Sequence, residues 1–138
     1  MSDKNLHVAA AIIERDGKVL AARRSDGAEG WELPGGKIEP SETAEDACRR
    51  EVREELALEL GVLWPYTTMH HTDPKLDLAM DVFCAPIPAD AEPQMLEHQE
   101  LRWLGRDELL SVDWLPADLE VARSLGIAWS DVFDSMHM

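Results

Sequence analysis

Residues Gly36–Leu58 read GKIEPSETAEDACRREVREELAL, and the second half of this segment has the periodicity of an amphipathic helix. Thr43 can serve as the N-cap, with Asp46 three residues further on as a weak capping-box partner. The helix is predicted to run from Thr43 to about Leu58. It is the strongest helical signal in the chain.

Different faces of this helix carry different side chains. Each residue of an α-helix turns by about 100°, so Glu51, Glu54 and Glu55 lie on one face. Arg49 and Arg53 lie on the opposite side from the glutamates. A separate apolar stripe can pack against a sheet; its members are Cys48, Val52 and Leu56.

Three like charges on one helix face repel each other, so a compensating charge is expected. Mg²⁺ suits this task, because it binds carboxylate oxygens and keeps water and substrate phosphates as its other ligands. The alternative is a solvated acidic helix face without a ligand. The helix alone does not decide between these two interpretations.

The surrounding residues favour the metal site, because the segment resembles the Nudix box. This motif has Gly, five residues, Glu, seven residues, Arg-Glu-aliphatic, one residue, Glu-Glu, one residue, and Gly-aliphatic. The matching positions are Gly36, Glu42, Arg50, Glu51, Val52, Glu54, Glu55 and Leu58. Ala57 departs from the motif, which has glycine there. Because alanine disfavours the left-handed conformation that ends many helices, the helix is expected to run on or end differently.

The resemblance implies roles for the matching residues. It makes Glu51, Glu54 and Glu55 ligands of Mg²⁺, with Mn²⁺ as the alternative ion, and one of them helps to deprotonate water. The carbonyl of Gly35 is a further expected ligand, since a Gly-Gly turn lets backbone approach a metal closely.

The resemblance also implies roles for the loop before the helix. Glu42 and Arg50 are expected to form a structural ion pair that holds this loop onto the helix. Lys37 either contacts phosphate or is an ordinary exposed lysine, and the sequence leaves both interpretations open.

Upstream, the segments AAIIERDGKVL and WELPGG resemble the MutT-type branch of the Nudix family. That branch includes CTP pyrophosphohydrolases and 8-oxo-dGTP diphosphatases. The likeness predicts that Arg24 contacts the nucleotide, with a surface arginine as the alternative. It also predicts a substrate-binding segment, which consists of Glu32, Leu33, Pro34 and Gly35.

Downstream, the resemblance singles out two acids. Glu97 matches a glutamate outside the box that approaches the metal or the attacking water, and is predicted to be catalytic. His98 beside it is interpreted as a solvent-facing loop residue. Asp118 matches the position of an Asn or Asp that hydrogen-bonds the base edge. The alternative is that Asp118 is the N-cap of a helix. Trp31 either lines the pocket or belongs to the core.

The rest of the chain supplies strands and short helices around the box helix. Asp16-Gly17 between two apolar runs predicts a hairpin. Strands are predicted at His7–Glu14, Lys18–Ala22, Trp31–Leu33, Leu60–His71, Leu76–Ala85 and Leu101–Leu104, and short helices at Arg106–Ser111 and Pro116–Leu125. This order predicts an α+β fold over residues 1–138, a Nudix-type α/β/α sandwich with a mixed sheet flanked by helices.

Composition restricts the partners. The formal net charge of −15 over 138 residues disfavours DNA, RNA and anionic membranes. A small anionic nucleotide remains suitable if a cation bridges it to the acidic side chains. No apolar run approaches the ~20 residues that cross a bilayer, and the N-terminus lacks a signal-peptide pattern. Cys48 and Cys84 have neither disulfide nor zinc spacing, which favours a reducing cytoplasm.

The expected function is therefore Mg²⁺-dependent hydrolysis of a nucleoside triphosphate to a monophosphate and pyrophosphate. Cytidine nucleotides and 8-oxo-dGTP are the leading substrates. No covalent nucleophile or P-loop is predicted, because the motifs for both are missing. ADP-ribose or dinucleoside polyphosphates remain alternative substrates, and a non-catalytic nucleotide-sensing module remains an alternative function. The sequence does not indicate the oligomeric state.

Overall fold

The chain turns back on itself at Asp16-Gly17, where both residues have positive φ angles of 52° and 79°. A type I′ turn requires this combination, and its twist matches that of the flanking strands. The turn joins strand β1 (Asn5–Arg15) to strand β2 (Lys18–Arg23). The computed structural model describes residues 5–26 and 29–136.

Two helices and five further strands follow. In chain order they are β3 (Trp31–Glu32), β4 (Gly35–Lys37), α1 (Ala44–Leu56), β5 (Trp64–Asp73), β6 (Leu76–Pro86), β7 (Glu100–Leu104) and α2 (Pro116–Met136), with a 3₁₀ turn at Arg106–Glu108 between β7 and α2. Neither helix of the described part is long and apolar enough to cross a membrane.

Strand β1 lies at the centre of a mixed sheet with the strand order β3-β2-β1-β6-β5. It pairs in parallel with β6 along most of its length, whereas its other edge is shared by β2 and β4, both antiparallel. Residues 9–14 of β1 are all buried. A strand that is covered on both faces has this unbroken apolar run rather than alternating polarity.

Each face of the sheet has its own apolar core. On one face α1 covers alternate residues of β1, and this core includes Ala9, Ala11, Ile13, Cys48, Val52 and Leu56. On the other face α2 packs over the intervening residues, and this core includes Ala10, Ile12, Val82, Val121, Leu125 and Phe133. The predicted α+β sandwich of a mixed sheet between helices is therefore confirmed.

Several predicted element bounds were wrong. Gly35–Lys37 is a strand, whereas the sequence indicated only a stop after Trp31–Leu33. Strand β5 begins at Trp64 rather than Leu60, and the helix predicted at Arg106–Ser111 is only the short 3₁₀ turn. Pairing with distant strands decides these short segments, and local sequence does not reveal it.

The last helix is also longer than predicted. The sequence pattern predicts that it ends at Leu125, before Gly126. Instead α2 continues to Met136. Trp129 and Phe133 stand four residues apart with ring centroids 4.5 Å apart, and Phe133 is buried in the core. This apolar packing outweighs the cost of about 1 kcal/mol for one glycine inside a helix.

Helix α1 begins as predicted, since the Thr43 hydroxyl accepts a hydrogen bond from the Asp46 amide. Its end differs from the expectation for Ala57. The helix stops at Leu56, and Ala57 adopts the left-handed conformation, with φ 55° and ψ 34°. The Ala57 amide donates to the Arg53 carbonyl at 3.0 Å. Ala57 therefore adopts the left-handed conformation that suits the glycine of the motif, and for alanine this conformation has a steric cost.

Candidate active site

A cavity of about 600 Å³ opens between the C-terminal half of α1 and the first turn of α2. Its walls come from β1, β3, β4, β6 and the segment before β7. Eight of the predicted site residues line it: Arg24, Glu32, Leu33, Gly35, Lys37, Glu55, Glu97 and Asp118. Glu51, Glu54, Pro34, Glu42 and Arg50 do not line it.

Two glycines allow the backbone of β4 to lie directly against β1 and α1. A Cβ atom on Gly35 would stand 2.1 Å from the Ala9 carbonyl oxygen. One on Gly36 would stand 2.4 Å from the carboxyl carbon of Glu51. Gly35 also has a φ of 154°, which L side chains rarely adopt. Its amide donates to Oε1 of Glu55 at 3.3 Å, so the Gly-Gly segment lies next to this box glutamate.

The three box glutamates differ in depth. The Glu55 side chain is 7% exposed, that of Glu51 is 18% exposed and that of Glu54 is 51% exposed. The pKa of Glu55 is raised to about 9, mainly by burial and also by the nearby carboxylates of Glu32, Glu51 and Glu97, while the Gly35 amide opposes this rise. A buried carboxyl among other acids is stabilised in its ionised form by a nearby cation.

The donor set fits a hard divalent cation. Carboxylates of α1, Glu97 and the Gly35 carbonyl supply only oxygen atoms, which Mg²⁺ prefers. Among residues 5–26 and 29–136, no three carboxylate, imidazole or thiol groups stand close enough together to hold a metal ion by themselves.

Arg50 connects the loop before α1 to the glutamates. Its guanidinium donates to both oxygens of Glu42, at 2.6 and 3.0 Å, and to the Lys37 carbonyl at 3.0 Å. The expected Glu42–Arg50 ion pair is therefore present. The same guanidinium also reaches Glu51 at 3.0 Å and Glu54 at 3.2 Å, which the sequence did not indicate. The hydrogen bond with Glu42 is the main reason that the pKa of Arg50 is raised.

Asp118 lies in the first turn of α2 and lines the same cavity. Its carboxylate accepts a hydrogen bond from the Leu33 amide at 2.9 Å. The alternative interpretation of Asp118 as an N-cap is wrong, because α2 already begins at Pro116 and the Leu115 carbonyl accepts the first helical hydrogen bond, from Leu119. Burial raises the pKa of Asp118 to about 7, so near neutral pH the carboxyl exists both as an acceptor and as a donor.

Part of the cavity wall is apolar. The side chains of this wall come from β1, β6 and the start of α2, and include Leu6, Val8, Leu78, Met80, Leu115 and Pro116. Trp31 is absent from it. Trp31 is buried in the core, and the Arg102 guanidinium lies 4.8 Å from the centroid of its ring. The core interpretation of Trp31 is therefore the right one.

Arg24 and Lys37 are the basic side chains of the cavity. Arg24 pairs with Asp26 and stands 3.7 Å from Oε1 of Glu32. Lys37 follows the two glycines at the end of β4. Both side chains line the cavity, where they can contact the phosphate chain of a nucleotide.

The segment before β7 is fixed on both sides. The Leu96 amide donates to the Glu55 carbonyl at 3.2 Å, and the Gln99 amide donates to the Arg23 carbonyl at 3.0 Å. Glu97 lines the cavity, and its carboxylate is one of those that raise the pKa of Glu55.

The expectation of a solvent-facing His98 was wrong, since its side chain is only 4% exposed. Its Nε2 lies 2.9 Å from Glu32, and both residues line the cavity. The only sequence signal for this histidine was its place beside Glu97.

The two cysteines have no place in this chemistry. Cys48 and Cys84 are free and buried. Burial raises the pKa of Cys48 to about 12 and that of Cys84 to about 11. The thiolate is the nucleophilic form of cysteine, so these protonated thiols are poor nucleophiles.

Comparison with known proteins agrees with the geometry. A family model described as NUDIX domain matches residues 3–125. A CTP pyrophosphohydrolase of Escherichia coli K12 is 40% identical over 125 residues, which make up 88% of this chain and 91% of that relative. An 8-oxo-dGTP diphosphatase of Proteus vulgaris is 34% identical over 87 residues, 60% of this chain and 78% of that relative.

A solved structure shows the same fold. The solution structure of the E. coli ORF135 protein aligns with a TM-score of 0.80 at 33% sequence identity. The alignment covers 95% of this chain and 96% of that one.

Proposed function

This chain belongs to the NUDIX domain family, and we propose that it hydrolyses a nucleoside triphosphate to a monophosphate and pyrophosphate with Mg²⁺. It is a hydrolase of that family, with a relative named CTP pyrophosphohydrolase. The observation that carries the proposal is one cavity whose lining brings together the acids Glu55, Glu97 and Asp118 and the basic side chains of Arg24 and Lys37.

The acidic side chains of the site are the proposed metal ligands. Glu51, Glu54, Glu55 and Glu97 would hold Mg²⁺, or Mn²⁺, together with the Gly35 carbonyl. When bound, the ion neutralises charge on the phosphate chain and lowers the pKa of a coordinated water. One of these carboxylates accepts the proton of the attacking water. Arg50 keeps Glu51 and Glu54 near each other through its hydrogen bonds.

The remaining residues of the cavity suit a nucleotide. Arg24 and Lys37 bind the phosphate chain. The apolar wall with Leu78 and Met80 accommodates a flat base. The Asp118 carboxyl, anchored by Leu33, hydrogen-bonds the base edge.

Cytidine nucleotides and 8-oxo-dGTP are the proposed substrates. The relatives' names point to these two, and the acceptor form of Asp118 suits the cytosine 4-amino group or the guanine N1 and 2-amino groups. The net charge of −15 argues against a nucleic acid polymer as substrate. Two free cysteines fit a reducing compartment, so we place the reaction in the cytoplasm.

A nucleotide panel tests the proposal. With Mg²⁺ present, pyrophosphate release is measured from CTP, dCTP, UTP, GTP and 8-oxo-dGTP, with ADP-ribose and diadenosine tetraphosphate as competitors. The proposal predicts the highest kcat/KM for a cytidine nucleotide or 8-oxo-dGTP. Higher kcat/KM for ADP-ribose or the dinucleotide would reassign the substrate class, and binding without turnover would make the chain a nucleotide-sensing module.

Asp118→Ala is the matched variant for the same panel. A site built around a hydrogen bond discriminates strongly against bases that lack the partner group. Loss of the carboxyl should therefore raise KM for the preferred base and flatten the preference among bases. An unchanged order of preference would show that other residues recognise the base.

A further inference from the structure

His98 is a buried cavity residue to which the proposed reaction gives no task. Its Nε2 lies 2.9 Å from Oε2 of Glu32 and 4.0 Å from Oε1 of Glu55. A carboxylate accepts hydrogen bonds and does not donate them, which assigns the ring proton to Nε2. The imidazole therefore presents one N–H between two carboxylates.

The backbone around His98 leaves it little freedom. One neighbour on the chain, Gln99, is bonded to the end of β2, and Leu96 is bonded to the end of α1. The serine hydroxyl of Ser25 also donates to the Glu97 carbonyl at 2.5 Å. The position of the ring is thus set by the same elements that carry Arg24 and Glu55.

Glu32 connects His98 to the substrate side of the cavity. One of its carboxylate oxygens accepts from His98, and the other lies 3.7 Å from the Arg24 guanidinium. Without the N–H of His98, the Glu32 carboxylate would lose the hydrogen bond that fixes its orientation. Arg24 would then lose the fixed orientation of its partner.

We propose that His98 is a positioning residue, whose Nε2–H holds the Glu32 carboxylate between Arg24 and the buried end of Glu55. This inference rests on the proposed function, because it assigns Arg24 to the phosphate chain and Glu55 to the metal. Groups that orient the ligands of a metal typically contribute about 10–100-fold to affinity or activity.

Two polar variants distinguish the loss of the Nε2–H donor from the loss of the imidazole ring itself. His98→Gln places an amide N–H near the position of Nε2, whereas the shorter side chain of His98→Asn does not reach Glu32. We expect His98→Asn to lower kcat/KM by about 10–100-fold and His98→Gln to restore most of that loss. Exposed His70 on β5 supplies the control, and His70→Gln should leave turnover unchanged.

Metal affinity gives a readout that needs no turnover. Binding of Mn²⁺ to each variant is followed by electron paramagnetic resonance of the free ion. His98→Asn should bind Mn²⁺ about tenfold or more weakly than His98→Gln. Equal affinity and equal turnover of these two variants would overturn the positioning role. If instead the wild-type protein binds Mn²⁺ but cleaves no nucleotide, the proposed function fails while the affinity comparison still decides the role of His98.

A double-mutant cycle tests whether His98 acts through Glu32. In a Glu32→Ala background, His98→Asn should cost much less than in the wild-type background, because the acceptor is already gone. The same loss in both backgrounds would show that His98 acts independently of Glu32, and would contradict the proposal.

Discussion

At the scale of single residues, the burial of each acid of the proposed site determines its chemistry. Glu54 is half-exposed, whereas Glu55 and Asp118 are buried, and burial is the largest cause of the raised pKa of both. For Glu55 the neighbouring acids add to this effect, and for Asp118 the Leu33 amide opposes it. The two acids therefore respond differently to substitution.

Glu55→Gln should abolish metal-dependent turnover without unfolding the protein. Gln keeps the size of the side chain and removes its charge. Loss of a group that only orients a metal ligand typically lowers activity by about 10–100-fold, so loss of the ligand itself should lower kcat by at least about 100-fold. Because the pKa of Glu55 is raised to about 9 in the folded state, its ionised form is disfavoured there. The variant should therefore melt no lower than wild type at neutral pH.

Glu45→Gln is the matched control for this experiment. Glu45 lies in the first turn of the same helix, half-exposed and paired with Arg49. Its substitution should leave kcat unchanged. Near-normal turnover of both variants would refute the assignment of Glu55 to the metal site.

Asp118→Asn should change how stability depends on pH. The folded-state pKa of Asp118 is raised to about 7 from 3.8, so between these values the folded state binds more protons than the unfolded state. Stability is then lost as pH rises through this window and is constant above it. Asn removes this loss, so its stability advantage over wild type should grow from about pH 4 to about pH 7.

Urea unfolding of both proteins at several pH values measures this difference. The amide oxygen of Asn can still accept from the Leu33 amide, so the variant should fold. Parallel stability curves across the window would mean that the Asp118 carboxyl is not held in a raised-pKa environment.

At the scale of elements, the end of α1 carries a local strain. Ala57 occupies a left-handed conformation that costs an L residue about 1 kcal/mol. Ala57→Gly should therefore raise the free energy of unfolding by up to about 1 kcal/mol, and the β-branched Ala57→Val should lower it. Chemical denaturation of the pair measures the effect, and equal stabilities would show that the helix end relaxes without strain.

Arg50 holds the loop before α1, so we expect its substitution to affect residues outside the loop as well. Arg50→Ala removes hydrogen bonds to Glu42, Glu51 and the Lys37 carbonyl. Both Tm and kcat should fall, since the loop and the box glutamates lose the same partner. Thermal melting and steady-state kinetics measure the two effects.

Arg53→Ala is the control on the same helix. Among the described residues, the Arg53 guanidinium forms an ion pair with exposed Glu59, at 2.6 Å. Ion pairs on the surface contribute little to stability. A Tm for Arg50→Ala no lower than that of Arg53→Ala would contradict the structural role of the Glu42–Arg50 pair.

The elements also show what the sequence could and could not predict. Helix α1 has its own N-cap, apolar stripe and motif, so its position and its glutamate face followed from local pattern. The environments of His98 and Asp118 did not. Their partners Glu32 and Leu33 lie 66 and 85 residues away along the chain, and only the folded sheet brings them together. Strand β4 was missed because Gly35-Gly36 carries no side-chain pattern.

At the scale of the whole molecule, the fold brings three elements together around one cavity. Helix α1 supplies Glu55, β4 supplies the glycine backbone and α2 supplies Asp118. The molecule is strongly acidic, with a formal net charge of −15, yet its cavity includes Arg24 and Lys37. A bridging cation and these two basic side chains make the cavity suitable for a small polyanion despite the overall charge.

The identity of the bond that is broken tests the central claim most directly. The preferred triphosphate is hydrolysed with Mg²⁺ in water enriched in oxygen-18, and the initial products are resolved by mass spectrometry. Attack of water on an interior phosphorus predicts pyrophosphate and a nucleoside monophosphate as the first products, with one oxygen-18 atom in one of them. Orthophosphate as the first product, with a nucleoside diphosphate beside it, would contradict this account of the reaction.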